Sequence, residues 1–233
     1  MKPTIILVAP QMGENIGAAA RAMKNFGVSE LRIVTPRDGW PNDKADAMSV
    51  GAIDIIKKAK IYDDLASSIA DLEYVYATTA TPRDMNKDYI LSKDLNSRGR
   101  HHALSKIGIM FGRENNGLSN EEISYANTIL SIDTDPEFSS LNIAHAVSII
   151  CYELFRPLER VDLSNKQILC SKEEMEHFYS HLFTELEKRS FFKTLERQPI
   201  MTQNIRAIFN RTDKMSKNEV QTLRGIITTL TNR

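Results

Sequence analysis

The sequence predicts an α/β fold, with a mostly parallel sheet covered by helices on both faces and a small all-helical extension behind it. Three observations predict it. Five apolar runs read as strands: Thr4–Pro10, Leu31–Pro36, Tyr74–Thr79, Ile107–Gly112 and Thr128–Ile132. Helical patterns lie between them, and that alternation is the signature of parallel strands joined by helices. After Arg156-Pro157, which breaks the last core helix, only helical patterns follow.

Each element has a local reason. The first run, beginning at Thr4, is too short and too soon polar for a signal peptide and reads as a first strand. Asn15–Phe26 reads as a helix ended by Gly27, placed as a C′ glycine. Ala45–Lys60 is amphipathic and reads as one helix, and Asp64–Ala70 as a short one. Residues 81–106 hold Pro82, Asn86, Asn96 and Gly99 and few apolar side chains, which suggests an excursion over the surface. Ser119-Asn120-Glu121-Glu122 is a capping box opening a helix to Ala126. Leu141–Phe155 is the longest apolar helix. The division is a first domain over 1–157, a linker over 158–170 and helices over 171–233. Ser171-Lys172-Glu173-Glu174 opens a helix with Met175, Phe178, Leu182 and Leu186 three or four apart. Ser216-Lys217-Asn218-Glu219 repeats the device before Val220, Leu223, Ile227 and Leu230, with a short helix over Asn204–Arg211 between them.

Composition narrows the class. The chain has 233 residues, 42% hydrophobic and 26% charged, ordinary for a soluble globular protein. No run is long and apolar enough for a membrane span. Cys151 and Cys170 match no metal or disulfide framework, and a reducing cytoplasm is the expected compartment. Net charge is zero, yet residues 188–233 hold ten Lys/Arg against three Asp/Glu, so residues 1–187 carry the opposite deficit of seven. A basic tail on an acidic body suits an anionic partner, although a solvated helical face explains it equally well.

Three loops carry the chemistry. Asn15-Ile16-Gly17-Ala18-Ala19-Ala20-Arg21, Phe111-Gly112-Arg113-Glu114-Asn115-Asn116-Gly117-Leu118 and Ser139-Ser140-Leu141-Asn142 through Val147 each begin after an apolar run. That places polar groups at the carboxyl ends of strands, where open α/β sheets bind ligands. In the first, a helix N-terminus and Arg21 suit an anion; the plainer reading is a helix start with a surface arginine. In the second, Gly112 admits a ligand close to the backbone, Glu114 orients a neighbour, and Gly117 suits a left-handed bend. In the third, one of Ser139, Ser140 and Asn142 is an N-cap, leaving the others for a ligand. His145 reads as packed or solvated. No G-x-G-x-x-G, P-loop or G-x-S-x-G elbow is present, and His177 with His181 lacks a third metal ligand.

Together and in this order, the three loops resemble the motifs of the SPOUT superfamily and, within it, the SpoU/TrmH-type RNA 2′-O-ribose methyltransferases. The matching residues are Asn15, Gly17 and Arg21; Phe111-Gly112-Arg113-Glu114 with Gly117-Leu118; and Ser140-Leu141-Asn142 with Ala146-Val147. The similarity spans about residues 3–156. Ala20–Met23, Pro136–Asn142 and the helical tail with Leu223-Arg224-Gly225-Ile226 resemble the TrmJ type most closely. The resemblance implies a trefoil knot at the carboxyl end of the sheet, a homodimer with active sites near its interface, and no metal. It implies S-adenosylmethionine as methyl donor and nucleotide 32 of the tRNA anticodon loop as acceptor. Cofactor contacts carry over to Thr78, Thr79, Ala80, Gly112, Glu114, Ile132, Ser139, Ser140, Leu141 and Asn142. Catalytic roles carry over to Arg21, Asn15 and Ser140, Arg21 gripping phosphate rather than acting as a base, because a guanidinium stays protonated. The alternatives are ribosomal RNA or another tRNA position as substrate, a non-catalytic RNA-binding protein of the same fold, and a base methyltransferase of the superfamily. Lys188, Arg189, Lys193, Arg197, Arg206 and Arg211 are the expected phosphate contacts of the tail.

Overall fold

The computed structural model describes residues 3–80, 86–98, 106–156, 169–194, 197–211 and 215–231. Most of the expected linker, and parts of the excursion over 81–106, lie outside the described residues.

Seven parallel strands form one sheet in the order β3-β2-β1-β6-β4-β7-β5. They are β1 (Thr4–Val8), β2 (Glu30–Val34), β3 (Lys60–Tyr62), β4 (Tyr74–Thr78), β5 (Asp88–Leu91), β6 (Ile107–Phe111) and β7 (Thr128–Ser131). Alternate residues of each central strand feed opposite cores. Ile5 and Leu7 of β1 join the core under α1 (Gly13–Asn25) and α7 (Ile143–Phe155), while Ile6 and Val8 join the core under α4 (Leu65–Ile69) and α6 (Asn120–Ser124). A strand buried on both faces cannot alternate apolar with polar, which is why these strands read as continuous apolar runs.

All five expected strands form. β3 and β5 are additional, one at each edge of the sheet. Edge strands have one solvated side and carry charges such as Lys60 and Asp88, so neither shows an apolar run. Ala45–Lys60 is two helices, α2 (Asp43–Met48) and α3 (Ile53–Lys58), because the chain turns at Gly51 with φ +77°. Part of the expected excursion folds as β5 and α5 (Leu95–Arg98). Gly27 ends α1 as expected: its φ is +70°, and Val28 N–H reaches back to the Met23 carbonyl at 2.9 Å.

The extension holds α8 (Lys172–Lys188), α9 (Gln198–Arg211) and α10 (Lys217–Thr231) around Met175, Phe178, Tyr179 and Val220. Both of its expected capping boxes form. α9 begins earlier than the expected Asn204, and Leu230 is exposed rather than packed.

The extension docks on the carboxyl end of α6. Asn210 Nδ2 donates to the Ser124 and Ala126 carbonyls, each at 3.1 Å, and Lys172 Nζ donates to Tyr125 O at 3.3 Å. Lys87 Nζ donates to the same Ser124 and Ala126 carbonyls. Arg206, expected at tRNA phosphates, is instead built into this joint. It pairs with Glu176 and lies over the rings of Tyr179 at 4.5 Å and Tyr125 at 4.9 Å. A guanidinium supplies both a carboxylate fork and a stacking plane, and here both are consumed inside the chain. Lys188 and Arg189 also pair internally, with Glu185. Lys193 and Arg197 are exposed and pair with no described residue. The side chain of Arg211 lies outside the described residues.

Burial has a pH consequence at this joint. It pushes Lys172 down from 10.5 to about 7, with Lys87 and Arg206 lowering it further against Glu176. Burial, with Arg206, does the same to Lys87, also to about 7. Between about 7 and 10.5 the unfolded lysine holds a proton that the folded one lacks, so stability rises with pH there. Below that window both states are protonated and the full cost of the buried charge remains. Lys172→Met should flatten the rise by up to about 1.4 kcal/mol per pH unit. Denaturant titrations of both proteins at pH 6, 7.5 and 9 measure it, and parallel curves would contradict it.

Candidate active site

The carboxyl ends of β4, β6 and β7 open into a cleft of about 280 Å³. Thr78, Thr79 and Ala80 form the wall beyond β4, and the 111–117 loop forms the wall beyond β6. Leu130, Ile132, Leu141, Ile143 and Ala146 supply an apolar lining, and Ser139 and Ser140 the polar rim. Of the ten expected cofactor residues, nine line this cleft. Asn142 does not: it caps α7, its Oδ1 accepting Ala144 N–H at 2.8 Å.

A chain of side-chain amides ties the three loops together. Gln11 N–H donates to Glu114 Oε2 at 2.9 Å, and Asn15 Nδ2 donates to Glu114 Oε1 at 2.8 Å. Asn142 Nδ2 donates in turn to Asn15 Oδ1 at 2.9 Å. Both ends are anchored by backbone N–H groups, Gln11 at one and Ala144 at the other. No amide can therefore flip without facing a donor with a donor. Asn15 is buried, so both hydrogen-bonding ends of its side chain are spent on this brace. It is the third residue of α1 rather than a group displayed at the helix start.

Glu114→Gln tests the brace with nearly unchanged shape. One of the two donors would meet an NH₂ group and lose its acceptor, at a cost of about 1–3 kcal/mol. Denaturant unfolding should show that loss, and unchanged stability would mean the chain of amides is slack.

Two of the glycines are also required by packing within the chain, and Gly117 makes the expected bend. A Cβ at Gly112 would lie 2.1 Å from Gly117 C and 2.2 Å from Leu118 N, so what approaches Gly112 is the backbone of its own loop. Arg113 and Gly117 exchange backbone hydrogen bonds at 2.9 and 3.3 Å, and Gly117 takes the left-handed bend with φ +64°. A Cβ at Gly17 would lie 2.4 Å from Ala45 O, so this glycine serves the contact of α1 with α2, not an anion. Arg113 forks onto Glu122 at 2.8 and 3.0 Å, which holds its basicity above the ordinary arginine value. The capping motif alone did not announce that second use of Glu122.

Of the three expected catalytic residues, Ser140 is at the cleft and Asn15 is in the brace behind it. Arg21 stands six residues beyond Asn15, about 9 Å along the helix, exposed and with no side-chain partner among the described residues. Arg113, Asn115 and Asn116 also line the cleft; they sit in the second loop, and no role had been read from them. His145 is exposed. Among the described residues no group of three His, Cys, Asp or Glu could hold a metal ion, and no helix is long and apolar enough to cross a membrane.

Known proteins share this arrangement. Residues 2–152 match the SpoU rRNA methylase family, and residues 173–233 match the C-terminal domain of the tRNA methyltransferase TrmJ. The tRNA (cytidine/uridine-2′-O-)-methyltransferase TrmJ of Photorhabdus laumondii is 34% identical over 97% of this chain and 95% of its own. The tRNA (cytidine/uridine/adenosine-2′-O-)-methyltransferase TrmJ of Pseudomonas aeruginosa is 31% identical over 96% of this chain and 91% of its own. The crystal structure of TrmJ from Z. mobilis superimposes with a TM-score of 0.90 at 37% identity, covering 99% of both chains. With its cleft at the carboxyl ends of a parallel sheet and its helical extension, the chain belongs to the SpoU methylase family and is a methyltransferase of the TrmJ type.

Proposed function

We propose that the protein methylates the ribose 2′-hydroxyl of a tRNA nucleotide, position 32 of the anticodon loop, with S-adenosylmethionine as donor. The observation that carries this reading is the cleft walled by the second and third family motifs, with the first motif tied to them from behind through Asn15. Its character suits that cofactor: an apolar lining for a nucleobase and thioether, and small or polar residues on the rim for the charged end. Thr78, Thr79, Ala80, Gly112, Ile132, Ser139 and Leu141 would hold it. When bound, the cofactor supplies a methyl group on a positively charged sulfur.

The remaining work belongs to the chain. Ser140 at the rim orients the ribose, and Arg21 holds the flanking phosphate so that the hydroxyl lies in line with the methyl. Asn15 and Glu114 act through the brace, keeping the loops at fixed separation. A homodimer would complete the site. Supporting it is the exposed aromatic patch where α1 and α7 end: Tyr152 and Phe155 are 49% and 63% exposed and pack on Phe26, Tyr152 edge-on and Phe155 tilted. The strand order supports the trefoil threading, since β6 enters between β1 and β4, and β7 between β4 and β5.

Incubation with total tRNA and methyl-labelled cofactor, followed by mapping of the label, tests the reading. A 2′-O-methyl at nucleotide 32 is expected. Label at another position would relocate the substrate site, and no label on tRNA would reject the reading. The extension adds a second check. Lys193, Arg197 and Arg224 have no ion-pair partner among the described residues of the extension, and replacing the two exposed ones, Lys193 and Arg197, by alanine should lower the log–log salt slope of tRNA binding by about 1.5. An unchanged slope would leave the extension a packing role only.

A further inference from the structure

One side chain beside the cleft has no task in folding. Phe138 is 78% exposed, the most exposed large apolar side chain among the described residues. The next most exposed aromatic, Phe155, rests against Phe26 at 5.9 Å, whereas Phe138 has no ring contact among the described residues. A ring left in water contributes no burial to stability. Nor does it hang from a slack loop. Asp135 Oδ1 accepts Glu137 N–H at 2.9 Å, and its carbonyl accepts Phe138 N–H at 3.0 Å, with Pro136 stiffening the turn between them. The next two residues, Ser139 and Ser140, line the cleft.

We propose that the Phe138 ring is the platform on which the target nucleobase stacks while its ribose enters the cleft. This rests on the reading of the protein as a tRNA 2′-O-methyltransferase. The base is joined to the same ribose that must reach the methyl group, so it comes to lie at the rim next to that sugar. The ring is flanked by exposed Asp135 and Glu137, which repel phosphate and leave this position to an uncharged partner. Every nucleobase has a π face, so stacking holds the nucleotide without reading its edge and tolerates more than one base.

Wild-type protein, Phe138→Ala and Phe138→Trp are compared on tRNA, and on the same tRNA carrying an abasic ribose at the nucleotide that the wild type methylates. Phe138→Ala should lower kcat/KM for tRNA by about 5- to 150-fold, with affinity for S-adenosylmethionine and oligomeric state unchanged. Phe138→Trp should keep activity. The abasic tRNA should cost the wild type a similar factor and cost Phe138→Ala nothing further. Losses that multiply, or an alanine variant as active as wild type, overturn the proposal. So does a change of oligomeric state, which would assign the ring to a contact between copies of the chain. If wild-type protein labels no tRNA, the underlying reading falls and the proposal with it.

Discussion

Arg21→Ala is expected to reduce methyl transfer by at least about 10²- to 10³-fold while leaving affinity for S-adenosylmethionine within about threefold. Arg21 is outside the cleft lining, exposed on α1, and its side chain holds no partner among the described residues. Its loss therefore leaves stability within about 0.5 kcal/mol, as for other exposed side chains without contacts. What disappears is a contact to the nucleic acid made as the hydroxyl is brought into line, and such a loss falls on turnover rather than on cofactor binding. Arg21→Lys should fail as well, because an ammonium cannot reproduce the planar fork that grips a phosphate. Single-turnover transfer and calorimetric titration of the cofactor separate the two quantities. Equal loss of cofactor affinity would place Arg21 in the cofactor site and remove the assigned role.

Gly112→Ala is expected to be nearly as damaging by a different route. Its new methyl group would meet the backbone of Gly117 and Leu118, and no flexible side chain is there to yield. The loop must open, and the wall it forms against the cleft opens with it. A stability loss of about 1–3 kcal/mol and at least a tenfold loss of cofactor affinity should follow. Gly117→Ala is the control. Nothing lies within 4 Å of its would-be Cβ, so only the left-handed backbone, with φ +64°, opposes the change. Its cost should stay near the about 1 kcal/mol of a strained dihedral. Equal effects of the two substitutions would show that conformational freedom, not the close approach of the loop to itself, is what Gly112 provides.

Much of the architecture was legible in the sequence, because it is written in short-range signals. The five strands buried on both faces are continuous apolar runs. The Ser119, Ser171 and Ser216 boxes each pair a cap with a glutamate three residues on, and Gly27 closes α1 within two residues of its end. Each depends on neighbours in the chain, so a pattern suffices. The second and third loops were legible for a related reason, since strand ends followed by Gly, Ser and Asn mark where a parallel sheet opens, whereas Thr78–Ala80 and Ile132 were expected only through the family resemblance.

Other features were decided only by the tertiary structure. β3 and β5 exist because strands β2 and β7 offer them an edge, not because their own residues demand extension. The brace joins Glu114 to Asn15 across 99 residues and Asn15 to Asn142 across 127, separations at which no periodicity speaks. It spends the side chains of Asn15 and Asn142 on each other and on Glu114 and Ala144, which links the three loops in a way no local pattern could show. Arg206 shows the same limit, for in composition it counts toward a basic tail, while in space Glu176 and two aromatic rings consume it. Sequence alone thus determined which residue types stand at the ends of which elements, since local hydrogen bonding and burial set those. Which of these side chains remain free for an RNA or a cofactor was decided by folding, because a polar group is spent wherever a distant partner can satisfy it on burial.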